Sequence, residues 1–200
     1  SQETTLYYDK SCNRIDVSNT SDKQLCSDFT LQYTPSPLML ILNPSDMPVT
    51  GVVDFALDPT IDGKWYHWKG NGNNPILVYD KNFDVTVKGA EQLFGTSSFG
   101  KIWRDGFEAL SSLDTNYDQK ISGDELDGIY AWFDRNADGK SDSGEVVKLV
   151  DLNIQTLYYK SDAVDIKSGD LFAQIGYERF VNGSVETGQM VDWFSVAYDS

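Results

Sequence analysis

Two twelve-residue stretches, 114–125 and 134–145, limit what this chain can fold into more than any other feature. Each opens with the pattern Asp-x-Asn-x-Asp and closes on Glu. Carboxylates at that spacing turn several oxygens toward one point, where without a counter-charge they repel one another. A hard cation resolves the repulsion. Calcium takes six to eight oxygen ligands at about 2.3–2.6 Å, which a twelve-residue loop supplies from positions 1, 3, 5, 7, 9 and 12. In the first stretch those roles fall to Asp114, Asn116, Asp118, the Lys120 carbonyl and a bidentate Glu125, with Ser122 at position 9 and Ile121 as the apolar anchor. In the second they fall to Asp134, Asn136, Asp138, the Lys140 carbonyl, Asp142 and Glu145. Position 6 needs a left-handed backbone. Gly139 supplies it freely, whereas Gln119 bears a cost of about 1 kcal/mol. By sequence the second loop is therefore the better formed.

The pattern is that of an EF-hand loop, but the spacing is unusual. The leading aspartates are twenty residues apart, so only 126–133 separates the loops. One short helix containing Leu126, Ile129, Trp132 and Phe133 is expected to leave the first loop and enter the second. Trp103, Phe107, Leu110 and Leu113 recur at three- and four-residue steps, which predicts a helix ahead of the first loop, and 145–150 reads as another. Strand character flanks this zone: 38–42, 49–55, 76–79 and 84–87 before it, and 156–159, 171–175, 177–181 and 191–198 after it, with Asn182-Gly183 as a hairpin turn. The expected fold is α+β, with short β segments flanking a central helical region that holds two closely spaced EF-hand-type calcium loops. Residues 1–34 form a polar arm and 35–200 the module. None of the three Met lies in the helical zone, which argues against the Met-rich groove of a calcium sensor and for calcium as a structural ion.

A balance of 16 basic and 31 acidic residues, net −15, repels nucleic acid and anionic membranes. The longest apolar run is five residues, far short of the roughly 18 of a membrane span. Cys12 and Cys26 both sit in the polar arm. They read either as a disulfide of an oxidising compartment, worth about 3 kcal/mol by loop closure, or as two free thiols.

A weaker third loop runs over 80–91. Asp80, Asn82, Asp84, the Thr86 carbonyl and Glu91 fit the pattern, but Val85 resists the turn and Lys88 brings the wrong charge. His67 is a lone histidine with no nucleophile motif beside it, and reads as a half-buried residue of an aromatic strand. The cluster Trp65-Tyr66-His67-Trp68 reads as core or as a platform for a glycan or protein partner.

Ser36-Pro37-Leu38, Ile76-Leu77-Val78-Tyr79-Asp80-Lys81-Asn82, Gln92-Leu93-Phe94-Gly95, Gly106-Phe107-Glu108-Ala109-Leu110, the two loops, Asp151-Leu152-Asn153-Ile154 and Val191-Asp192-Trp193-Phe194 together carry a resemblance. Over about 36–196 the chain resembles the EF-hand-containing calcium-binding modules of exported RTX-type bacterial proteins, related to a calcium-dependent self-processing module. The resemblance implies secretion, or a periplasmic or cell-surface location, and calcium as the bound ion. It also implies, as an alternative, calcium-dependent cleavage at an Asp-Pro bond, here Asp58-Pro59. The sequence departs from the family's pattern where Gln92 replaces an acid and where glycines are missing from the first loop. The reading is an exported calcium-binding module acting in binding or assembly, with an unidentified protein or glycan partner and no evident catalytic machinery.

Overall fold

Strands buried on both faces carry continuous apolar runs, whereas strands with one wet face alternate. Leu38-Met39-Leu40-Ile41 and Ile76-Leu77-Val78 are of the first kind, and they form the middle of the fold. The computed structural model describes residues 35–46, 50–57, 65–82, 84 and 86–195. Cys12, Cys26 and Asp58-Pro59 lie outside these residues, as does the 1–34 arm.

The strands in chain order are β1 (Leu38–Leu40), β2 (Gly51–Asp54), β3 (Trp65–Trp68), β4 (Ile76–Tyr79), β5 (Ile121–Ser122), β6 (Ile129–Trp132), β7 (Val146–Lys148), β8 (Ile154–Leu157), β9 (Ala163–Val164), β10 (Leu171–Val181) and β11 (Ser184–Asp192). All but β2 and β3 join one curled antiparallel sheet, a half-barrel of order β5-β8-β10-β11-β1-β4-β6-β7, with β9 alongside β10. β2 and β3 pair only with each other. The one α-helix among the described residues is α1, Gly106–Ser111, capped by the Asp105 carboxylate accepting from Glu108 N.

The two faces of the sheet bury different sets. Leu38, Leu40, Leu77, Ile129, Ala131 and Met190 point to a cluster closed by Phe107, Ala109 and Leu110 of α1. Met39, Ile76, Val78, Tyr130, Trp132 and Val191 point the other way, to a cluster closed by Val53, Phe55, Tyr66 and Trp68 of the β2–β3 pair and its edge. Each fully buried side chain of this size contributes about 1.5–3 kcal/mol.

The central helical region expected from sequence is absent, so the fold is mostly β rather than α+β, and the two loops are not EF-hands. Residues 129–132, expected to be helix, are β6, paired with β4 at Ile76↔Trp132 through Tyr79↔Ile129. Residues 145–150 are β7 followed by a 3₁₀ turn over Leu149–Leu152. The physical cause is two-sided burial. All four residues of β6 are buried, and an element that is apolar on every side loses the alternation that marks a strand. The spacing of Leu126, Ile129 and Trp132 then mimics a helical face. The helix expected ahead of the first loop, on Trp103, Phe107, Leu110 and Leu113, is real but only six residues long.

Other expectations hold. β4 spans the expected 76–79, and β10 and β11 meet at Asn182-Gly183, both with positive φ (50° and 84°). The runs 171–175 and 177–181 are one strand interrupted by a bulge between Ala173 and Tyr177. No strand forms over the described residues of 84–87. No helix among the described residues is long and apolar enough to cross a membrane.

Candidate metal centre

The first loop leaves α1 and ends at β5 and the 3₁₀ turn Gly123–Leu126. Its backbone folds inward so that N–H groups gather the carboxylates. Asp114 Oδ1 accepts from Asp118 N (3.3 Å) and Oδ2 from Gln119 N (2.9 Å). Asn116 Oδ1 accepts from Asp118 N, and Asp118 Oδ1 from Lys120 N. Glu125 reaches back across the loop, accepting from Thr115 N (2.8 Å) and Asn116 N (3.2 Å) at Oε1 and from Ser122 N (3.2 Å) at Oε2. The result is one oxygen each from Asp114, Asp118 and Glu125, all within 4.8 Å of one another. Three carboxylate oxygens that close could hold a metal ion. Lys120 Nζ stands 3.9 Å from Asp118, at the rim.

Local electrostatics favour the ionised forms of Asp114 and Glu125. For Asp114 burial pushes the pKa up, but the Tyr159 hydroxyl and the N–H groups of Gln119, Tyr117 and Asp118 together bring it below its ordinary value. For Glu125 the Thr115 N–H is the leading cause of a lowered pKa. The backbone bears the cost of this geometry: Tyr117 and Gln119 both have positive φ (61° and 69°). The left-handed conformation expected at Gln119 is therefore present.

The second loop repeats the wiring. Asp134 Oδ1 accepts from Asp138 N (3.1 Å) and Oδ2 from Gly139 N (2.9 Å); Asp138 Oδ1 accepts from Lys140 N; Glu145 accepts from Arg135 N (2.8 Å) and Asp142 N (3.1 Å). Gly139 has φ 72°, and an added Cβ there would stand 3.0 Å from Val53 Cγ2, so both the turn and the close approach of β2 require glycine. Asn136 donates from Nδ2 to both Asp138 and Asp142 (3.1 Å each). Asp134 is fully buried and Glu145 nearly so; burial raises the Asp134 pKa, with Glu145 adding to it. The three-acid convergence seen in the first loop has no counterpart here among the described residues. The loop that is fuller in sequence is thus the less open in structure.

Sequence reasoning missed the aromatic groups that hold each leading aspartate. Tyr159 Oη donates to Asp114 Oδ2 at 2.7 Å, and its own pKa is pushed up to about 12, by burial first and then by this bond. Trp68 Nε1 donates to Asp134 Oδ2 at 2.6 Å, and Trp132 Nε1 to Glu145 Oε2 at 3.4 Å. These partners are 45 and 66 residues from their aspartates in the chain, so no local spacing could have announced them.

The 80–91 loop is not gathered around a point. Asp80 Oδ1 accepts from Asn82 N, Glu91 lies in a 3₁₀ turn over Ala90–Gln92, and Asp84 pairs with Lys88 (3.2 Å). The Lys88 ammonium sits where a metal would need Asp84. Gln92 closes this segment, accepting from Lys88 N and donating to the Thr86 carbonyl. Tyr66 and Trp68 are buried, which removes those two rings from any exposed sugar platform. His67 is half-buried in β3, as expected.

Comparison with known proteins places this architecture. Residues 129 in number align at 30% identity with the iron-regulated protein FrpA of Neisseria meningitidis serogroup C, covering 61% of this chain and 11% of that protein. The chain thus spans about a tenth of the length of the curated relative it matches. The profile of the SPM domain matches residues 47–195, which include both loops and ten of the eleven strands. The chain belongs to the SPM domain family.

Proposed function

We propose that this chain is a calcium-stabilised module of an exported protein, with the 114–125 loop as its principal site and the 134–145 loop as its second. Its role is in binding or assembly rather than catalysis. The observation that carries the reading is the convergence of Asp114, Asp118 and Glu125 oxygens within 4.8 Å, held by inward-turned backbone N–H groups. Asp114, Asn116, Asp118, the Lys120 carbonyl and Glu125 would hold the ion in the first loop. Asp134, Asn136, Asp138, the Lys140 carbonyl, Asp142 and Glu145 would hold it in the second. Membership of the SPM domain family supports the resemblance to exported RTX-type modules. The partner is a protein or a glycan.

Calcium titration by calorimetry, with a thermal melt alongside, tests the reading. A ligand bound only by the native state stabilises it by about 2.7 kcal/mol at a hundred times its Kd. For a chain of this length that raises Tm by about 5–10 °C. Absence of both heat and shift refutes the proposal. The competing reading, cleavage at Asp58-Pro59, rests on the resemblance alone, and the bond lies inside the family-matched segment rather than ahead of it. The same incubation read on a denaturing gel decides it: a band that stays intact retires cleavage.

A further inference from the structure

The two loops differ in sequence and in openness, yet the leading aspartate of each is held in the same way. In both, Oδ2 accepts two bonds: one from the backbone N–H at loop position 6, and one from an aromatic donor outside the loop. In both, Oδ1 accepts the longer bond from the N–H at position 5. A carboxylate fixed through Oδ2 keeps Oδ1 available to a cation in the loop. Groups of this kind, one step beyond the ligands, orient them and are commonly worth ten- to a hundredfold in metal affinity. In the first loop the aromatic donor is Tyr159, two residues after β8. The segment is pinned to β10 by Tyr158 N donating to the Gly176 carbonyl (2.8 Å).

We propose that Tyr159 is a positioning residue for calcium in the 114–125 loop. Its hydroxyl presets Asp114 before the ion arrives and ties occupancy of the loop to the β8–β10 region of the sheet. The inference rests on the calcium reading above. It goes beyond that reading by assigning part of the affinity to a group that never touches the ion. Tyr158 is the natural control. Its neighbouring hydroxyl donates to Glu178 (2.9 Å) and not to the loop.

The test uses the full chain carrying Glu145→Gln, which weakens the second loop and leaves the first to be titrated with calcium chloride by calorimetry. Adding Tyr159→Phe should weaken the remaining site at least tenfold, while Tyr158→Phe should leave it within twofold. A purely structural role for Tyr159 would lower the calcium-free melting temperature and leave the affinity unchanged, and that outcome overturns the proposal. Should the Tyr159→Phe chain fail to fold, amide exchange at Tyr158 in the Glu145→Gln chain carries the test instead. Slowing on calcium addition supports the coupling; an unchanged rate overturns it. If the Glu145→Gln chain binds no calcium at all, the calcium reading of the first loop falls and this inference with it. If calcium binds and Tyr159→Phe changes nothing, only this inference falls.

Discussion

Asp192 closes β11 and is fully buried, a position where a charged carboxylate must be compensated. Compensation is thin. Oδ2 accepts from Gly106 N at 2.6 Å, while Oδ1 has no well-formed hydrogen bond and only the weak help of the buried Ser36 hydroxyl nearby. Burial is the main cause that raises its pKa from the ordinary 3.8 to about 7. The Gly106 N–H and Ser36 oppose the rise, and Asp105 and Asp170 add to it. The sign follows from the raised folded value. The protonated form is the one the fold tolerates, so this residue's contribution to stability is most favourable at acid pH and falls as pH climbs from about 4 through 7. Linkage over that interval gives a loss of about 2–3 kcal/mol between pH 5 and pH 8. Asp192→Asn keeps the shape and the acceptor for Gly106 N but never carries the charge. Urea denaturation of both proteins in the absence of calcium, at pH 5 and pH 8, isolates the effect. The variant should gain on the wild type by about 2–3 kcal/mol more at pH 8 than at pH 5. A stability difference that is the same at both pH values would refute the reasoning.

Two other perturbations follow from the backbone and the sheet. Gln119→Gly removes the left-handed strain at φ 69°; relief of about 1–2 kcal/mol, less glycine's extra unfolded entropy, leaves about 0.5–1 kcal/mol, readable as a higher calcium-free Tm. A Tm that falls counts against the strain. A chain cut to 47–200 keeps the whole family-matched segment but loses β1, whose Leu38, Met39 and Leu40 are all fully buried between β11 and β4. At about 1.5–3 kcal/mol for each buried side chain, that loss is comparable with a domain's whole stability. Such a chain should show no cooperative melt by circular dichroism, and a sharp one would contradict the topology.

The candidate site was more legible in the sequence than the fold around it. Loop chemistry is local: Asp114 to Glu125 is written in twelve consecutive residues, and even the strained φ at Gln119 could be read from the missing glycine. The hairpin at Asn182-Gly183 was legible for the same reason. What misled was long-range burial. Tyr130 and Trp132 face one core and Ile129 and Ala131 the other, so β6 shows no alternation, and the neighbouring loops suggested helices around it. The partners of the leading aspartates, Tyr159 just beyond β8 and Trp68 in β3, are distant in the chain and brought near only by the fold. The reversal between the loops has the same origin, because Trp68 and the β2–β3 pair cover Asp134 while Asp114 and its neighbours stay more open.

The middle of the sheet has a mechanical consequence. β1 and β11 run antiparallel, with Leu38 opposite Asp192, and the pairing continues outward through Trp193 N to the Pro37 carbonyl and Ser195 N to the Pro35 carbonyl. Tension applied through residues 35 and 195 therefore arrives at one end of this strand pair and opens its hydrogen bonds one after another, as a zipper rather than as a shear joint. The two acidic loops lie off that line of force. Filling them with calcium would raise the melting temperature and leave the force needed to open the β1–β11 seam nearly unchanged.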